Sequence, residues 1–307
     1  MSIYIIGHKN PDTDSICSAI GYAAFKNAVE GSGYEAARAG NLNPETEFVL
    51  EKFGFDAPKL LENAAGESVI LVDHNEVAQA ADGLADAKVL EILDHHKLGD
   101  VQTSEPLYVR MMAVGCTATI VYLHYQEAGI APAAAEAGAL CSAILSDTLA
   151  FRSPTCTEKD KEAAEALAAI AGIADIQAYA KEMFKAGSNL LEKEPAEIFN
   201  MDYKKFTAGS TTFGVGQATS MDADELAELK GSLVDYMNNN LEALGVDMLF
   251  FMLTDILDES TDLIFAGEGA KEAAAKAFTS AEEGRFYLKG CVSRKKQIVP
   301  QLTEVLG

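Results

Sequence analysis

The stretch SIYIIGHKNPDTDSICSAIGYAAF, residues 2–25, changes its period part-way along. Ser2 to Gly7 is a short apolar run of β-type residues. After the loop HKNPDTDS the apolar positions fall at helical spacing, at Ile16, Ala19, Ile20, Ala23 and Val29. The implied order is strand, loop, helix, and such a loop converges its side chains on one point. His8, Asp12 and Asp14 lie in it. On this loop alone, Asp12 and Asp14 read either as potential ligands or as an Asx-turn with a helix N-cap.

Two later runs repeat the theme. Val69 to Asp73 and Val89 to Asp94 are apolar strands of the buried kind, and their C-terminal ends carry Asp73-His74-Asn75 and Asp94-His95-His96. Met111 to Val114 is a candidate fourth strand. Helices are expected over Thr117 to Ala128 and from Pro132 to Asp147, the second delivering Asp147 at its C-terminal end. The alternation predicts an α/β fold with a mainly parallel sheet flanked by helices and a site at the carboxyl edge of the strands. Separate strands of one sheet would then aim carboxylates and imidazoles at a single edge, which favours ligation by Asp12 and Asp14.

Thr157 to about Ala186 reads as helical, and GSNLLEKEPAE, residues 187–197, then breaks the pattern. The division expected is a metal-binding domain over 1–187, a hinge linker over 188–195 and a smaller α/β domain over 196–307. In the latter, Phe206 to Thr219 reads as β-structure with turns or bulges at Gly209, Gly214 and Gly216. A long amphipathic helix follows from Asp222 to Leu244, with Asp222 or Asp224 near its cap. Val246 to Leu253 and Leu263 to Phe265 read as strands, and Ile298 to Val305 as a last helix starting near Pro300.

The chain has 307 residues, 49% hydrophobic and 23% charged, which is long for one core and consistent with two domains. Its 24 basic and 47 acidic residues leave a net charge of −23, which repels nucleic-acid backbones and anionic membranes. No apolar run approaches the ~20 residues that cross a bilayer, and MSIYIIGHKN has neither a basic leader nor a cleavage site, so a cytoplasmic location is expected. Cys17, Cys116, Cys141, Cys156 and Cys291 are odd in number, scattered and never spaced as CxxC, and they read as buried thiols in a reducing compartment.

Carboxylates crowded at one sheet edge must either protonate or bind cations. Mixed Asp and His donors suit Mn²⁺ or Co²⁺ better than Mg²⁺, which prefers oxygen ligands and retained water. There are too many donors here for one ion. Two ions roughly 3.5–4 Å apart, bridged by a carboxylate, are the natural arrangement, and such pairs mostly cleave phosphoryl or peptide bonds.

GHKNPDTD, VDHN and the triplet Asp94-His95-His96 resemble the DHH phosphoesterase superfamily, and the C-terminal SRKKQIVP is similar to the signature of family II inorganic pyrophosphatases. The resemblance spans the whole chain and keeps the order of motifs. It implies a manganese-dependent hydrolase of pyrophosphate with its site in a cleft between the domains. By resemblance, His8, Asp12 and Asp73 would hold one metal, and Asp14, Asp73, His95 and Asp147 the second, with Asp73 as bridge. His96, Lys204, Arg294 and Lys295 would contact phosphate, Asp94 would orient ligands from behind, an extra Mg²⁺ would arrive with substrate, and the chain would form a homodimer through its N-terminal domain.

Plainer readings exist for several of these residues. His74 is either a neighbour of the ligands or a packed core histidine, and His124, set among Tyr122, Leu123 and Tyr125, is structural. Lys204-Lys205 alone would be a solvated pair. Arg294-Lys295-Lys296, a compact basic triplet in so acidic a chain, reads as an anion grip from composition alone. The rival functions are a polyphosphatase, a nuclease of short oligonucleotides, and a metal-dependent regulatory protein without turnover.

Overall fold

A computed structural model describes residues 2–280 and 285–307. Contacts divide the chain into two compact units, Met1–Gly187 and Ser188–Gly307.

The first unit runs β1 (Ile3–Ile6), α1 (Thr13–Glu30), β2 (Tyr34–Arg38), α2 (Pro44–Phe53), β3 (Lys59–Leu60), β4 (Ser68–Val72), β5 (Lys88–Asp94), β6 (Tyr108–Met111), α3 (Thr117–Ala128), α4 (Ala134–Asp147), α5 (Glu158–Ala171) and α6 (Ile176–Gly187). Its six-stranded sheet has the order β3-β2-β1-β4-β5-β6, with every pairing parallel. The chain builds outward from β1 to β3 on one side, then returns to start β4 against the other side of β1. The strand order therefore reverses between β1 and β4, and the crevice at their carboxyl ends is where such sheets place a site.

The expected elements are present with some corrections. The fourth expected strand, Met111 to Val114, lies earlier, as β6, and only Met111 is shared. Helix over Thr157 to Ala186 is broken where Gly172, at φ +76°, ends α5 in the left-handed conformation that glycine adopts without strain. The unanticipated β2 has one buried residue and β3 has none, so neither carries a strong apolar signal. Cys156 is partly exposed, while the other four cysteines are buried.

The second unit runs α7 (Pro195–Met201), β7 (Tyr203–Ala208), β8 (Thr211–Ser220), α8 (Ala223–Leu244), β9 (Met248–Asp255), β10 (Ser260–Ala266), α9 (Ala270–Ala277), β11 (Tyr287–Lys289) and α10 (Val299–Leu306). The sheet order is β11-β10-β9-β8-β7, parallel only between β8 and β9, which α8 connects. The central strand β9 is covered on both faces, as its unbroken apolar run requires. Leu249, Phe251 and Leu253 pack with Phe199, Leu233 and Met237, while Phe250 and Met252 pack with Phe213, Ile298 and Leu302. Asp222 caps α8, accepting from Asp224 N. Gly209 is the turn of the β7–β8 hairpin, at φ +55°. Gly214 and Gly216, expected as turns or bulges, instead lie within β8, where the rings of Tyr203 and Phe251 occupy the space a Cβ would need. Among the described residues no helix is long and apolar enough to cross a membrane.

Candidate metal centre

At the end of β1 the chain turns sharply. Ser15 Oγ fills the position a side chain on Gly7 would take, and it accepts from His8 N at 3.0 Å. Asp12 caps α1, its Oδ1 accepting from Ser15 N at 3.0 Å. Its other oxygen, Oδ2, lies 3.5 Å from His8 Nε2. Asp12 therefore caps the helix with one oxygen and turns the other toward His8.

Asp73, one residue past β4, is buried and has φ +62°, a left-handed conformation that aspartate tolerates better than most residues. Its Oδ2 lies 3.3 Å from His8 Nε2 and its Oδ1 lies 3.4 Å from His95 Nε2. Thr117 Oγ1 donates to Oδ1 at 3.2 Å. His95 Nδ1 lies 3.1 Å from the carbonyl of Val114, which can only accept, so Nδ1 carries the proton and Nε2 turns to Asp73 and to Asp147 Oδ2, 3.6 Å away. Asp14, fully buried in the first turn of α1, accepts from Thr117 N at 2.6 Å, Ala118 N at 3.0 Å and Ser18 Oγ at 2.6 Å. It thus supplies the anion at the start of α3, whose own N-cap residue Cys116 makes no side-chain bond.

The donors fall into three overlapping groups, His8, Asp12 and Asp73; Asp14, Asp73, His95 and Asp147; and Asp73, His95 and His96, each with donor atoms within 4.8 Å of one another. Asp73 belongs to all of them. Contacts of 3.3–3.6 Å are long for charged hydrogen bonds, and Asp73 Oδ2 and His95 Nε2 have no hydrogen-bond partner although buried. Two donors each about 2.1 Å from one ion, at about 90–110°, lie about 3.0–3.4 Å apart, so these residues fit a metal.

The electrostatics agree. Burial opposes charge on His8, yet the carboxylates of Asp12 and Asp73 raise it to about 10; burial likewise opposes charge on His95, which Asp73 and Asp14 raise to about 9. Burial and the neighbouring Asp73 push Asp14 up to about 7, and burial with Asp14 and Asp73 pushes Asp147 well above the usual carboxylate range. Against burial, His8 and His95 hold Asp73 below that range. A cluster this strained toward taking protons is one that a divalent cation would relieve.

Asp94 Oδ1 accepts from His96 N at 3.1 Å and from His96 Nδ1 at 2.9 Å, while Oδ2 is held by Asn75 Nδ2. Asn75 Nδ2 also donates to Lys97 O at 3.0 Å and its Oδ1 accepts from Gly99 N, so the buried Asp94–Asn75 pair shapes the loop after β5. Asp94 raises the pKa of His96, which is half exposed. His74 is buried with Nδ1 on the carbonyl of Val72 at 2.9 Å, and burial lowers its pKa. Neither it nor His124, which packs against the rings of Tyr22, Phe25 and Tyr108, joins a donor group among the described residues.

In the second unit, residues Arg294–Ile298 form a π-helical turn leading into α10. Ser293 Oγ accepts from Lys296 N at 3.3 Å, and Gln297 Oε1 accepts from Val292 N and Ser293 N at 3.0 and 2.9 Å. Ser293 and Gln297 thus build the turn. Arg294 is tied to Asp202, its Nη2 2.7 Å from Oδ1 and its Nη1 on the carbonyl. Lys204, on β7, is exposed.

The family model described as the DHH family, N-terminal domain, matches residues 2–144, and the DHHA2 domain matches residues 181–305. A solved structure from Methanococcus jannaschii, described as a "putative family II inorganic pyrophosphatase", is 41% identical with a TM-score of 0.63, covering 99% of both chains. The chain belongs to the family II inorganic pyrophosphatases of the DHH family. A family relative from Clostridium acetobutylicum, named "Probable manganese-dependent inorganic pyrophosphatase", is 48% identical over 99% of this chain and 98% of its own. The Methanothrix thermoacetophila relative, named manganese-dependent inorganic pyrophosphatase, is 44% identical over 98% of this chain and 97% of its own. In this family II chain the supporting groups Thr117 and the Val114 carbonyl carry no sequence signal, because each meets its partner through the fold.

Proposed function

We propose that the chain hydrolyses inorganic pyrophosphate to two phosphates, using two Mn²⁺ ions held in the first unit. The observation that carries this is Asp73, whose two oxygens face opposite ways, Oδ2 toward His8 and Oδ1 toward His95. His8, Asp12 and Asp73 hold one ion, and Asp14, Asp73, His95 and Asp147 the other. Co²⁺ is an acceptable substitute, and Mg²⁺ accompanies the substrate. Two such ions, when bound, acidify the attacking water and withdraw charge from the phosphoryl oxygens.

The chain's own groups do the rest. Asp94 grips His96 Nδ1, which leaves Nε2 to face a phosphate oxygen, and the Asp94 carboxylate shifts the ring toward its protonated, donating form. Lys204, Arg294 and Lys295 set positive charge against pyrophosphate and against the charge that grows in the transition state, a role worth about 3 kcal/mol for a single well-placed donor. Nucleic acid is disfavoured as a partner by the net charge of −23. A homodimer through the first unit is supported by β6, an edge strand that exposes Tyr108 and Val109.

The test is phosphate release from pyrophosphate, linear polyphosphate and nucleotides, by protein stripped of metal and then supplied with Mn²⁺. Turnover of pyrophosphate well above the others is expected. A preference for polyphosphate or oligonucleotides would move the chain to another DHH phosphoesterase activity, and no turnover at all would leave a regulatory role.

A further inference from the structure

Glu45 lies in the first turn of α2, after Pro44 and the capping residue Asn43, and belongs to none of the donor groups around Asp73. Its Oε1 accepts from Thr13 Oγ1 at 2.6 Å and from Ser146 Oγ at 2.6 Å. Thr13 separates Asp12 from Asp14, and Ser146 immediately precedes Asp147. Thr13 Oγ1 also lies 3.2 Å from Thr46 Oγ1, and both threonines are fully buried. One carboxylate oxygen therefore ties the start of α1 to the C-terminal end of α4 by two short, charge-assisted hydrogen bonds. The seat has no slack on its other side: a Cβ on Gly187 would lie 2.8 Å from Glu45 Cβ.

We propose that Glu45 is a positioning residue for both ions, holding the Asp12–Asp14 segment and the Asp147 segment in one fixed arrangement. This rests on the two-ion reading above. Glu45 stands outside the donor groups and acts on the ions only indirectly. It acts through the hydroxyls of Thr13 and Ser146, each one residue away from a ligand, so its loss lets both segments drift and loosens both sites together. Outer partners of this kind typically govern metal affinity by roughly 10–100-fold.

The test is Mn²⁺ titration of metal-stripped protein, followed by the paramagnetic resonance of unbound ion, with thermal unfolding of the metal-free forms alongside. Glu45→Ala should weaken Mn²⁺ binding by roughly 10-fold or more. Glu45→Gln keeps an oxygen able to accept from both hydroxyls and should recover most of the affinity. Thr13→Val combined with Ser146→Ala removes the same two bonds while leaving Glu45 in place, and should reproduce Glu45→Ala even if the latter folds poorly. Wild-type affinity in Glu45→Ala or in the double variant, whatever happens to the melting temperature, overturns the proposal. A Gln variant as weak as Ala also overturns it, because charge and not the pair of hydrogen bonds would then be responsible. If the wild type itself takes up no Mn²⁺, the two-ion reading fails first, and that result is distinct from all of these.

Discussion

His95 Nε2 lies 3.4 Å from Asp73 Oδ1, with its own proton committed on the far side of the ring to the carbonyl of Val114. An unprotonated Nε2 would face a carboxylate lone pair to lone pair, which is unfavourable, and a protonated one at this distance makes a poor hydrogen bond. A shared cation resolves the pairing, and His8 Nε2 faces the second Asp73 oxygen at a similar distance, 3.3 Å. Asp73→Asn should therefore be the most damaging ligand substitution. Asparagine also tolerates φ +62°, so the backbone is spared, but an amide offers one neutral acceptor where two charged oxygens stood. Metal content after gel filtration should fall at both sites together; a variant that still carries both ions tightly would remove the bridging role.

Replacing His95 by Gln should weaken Mn²⁺ binding by roughly 10-fold or more, since a ligand matters at least as much as its supporting partners. Unchanged affinity on titration would exclude His95 as a ligand.

Chelation should abolish turnover, and Mn²⁺ or Co²⁺ should restore more of it than Mg²⁺, because imidazole donors such as His8 and His95 favour the first two ions. Phosphate release after each addition measures this. Equal recovery with Mg²⁺ alone would mean that the imidazoles contribute little to the preference.

The clustering of His8, Asp12, Asp14, Asp73, His95 and Asp147 was legible because each stands where a local pattern ends. An apolar strand stops at Gly7, at Asp73 and at Asp94, and an Ala-rich helix stops at Asp147. Parallel pairing then brings those ends to one edge. Glu45 was invisible for the opposite reason: Thr13 and Ser146 are 32 and 101 residues away from it, in a helix whose apolar face is short and whose flanking strands are weakly patterned. The role of Asp12 could not be decided from the loop either, because it serves as cap with one oxygen and faces His8 with the other. In the second unit Gly214 and Gly216 misled, since glycine signals a bend when its reason is local. Here the reason is a ring on a neighbouring strand.

His124 supplies a pH dependence remote from the metal ligands. Burial, with Arg110 nearby, lowers its pKa from 6.5 to about 4 in the folded chain. Between those values the unfolded chain binds more protons than the folded one, so stability is fully present above pH 6.5 and declines as pH falls toward 4. His124→Gln removes the titrating group. In urea unfolding of metal-free protein, the wild type should be the more stable at pH 7, and its advantage should shrink by pH 5. A gap that does not change with pH would mean that His124 contributes packing alone.

Arg294 is already engaged as a fork, with Nη2 on Asp202 Oδ1 and Nη1 on the Asp202 carbonyl, so the planar guanidinium is held in one orientation beside Lys295. Arg294→Lys keeps the charge but cannot make two parallel contacts, either to Asp202 or to a pair of phosphate oxygens. Catalysis should fall by roughly 10-fold or more while Mn²⁺ binding in the first unit stays intact. The distribution of the loss identifies the step. If the contact tightens as charge grows on the phosphoryl group, kcat falls together with kcat/KM, whereas a contact made equally to substrate and transition state raises KM and spares kcat. Steady-state kinetics on pyrophosphate at saturating Mn²⁺ separate the two. Wild-type values for both parameters would mean that Arg294 serves only to close the turn against Asp202, and the phosphates would need another grip.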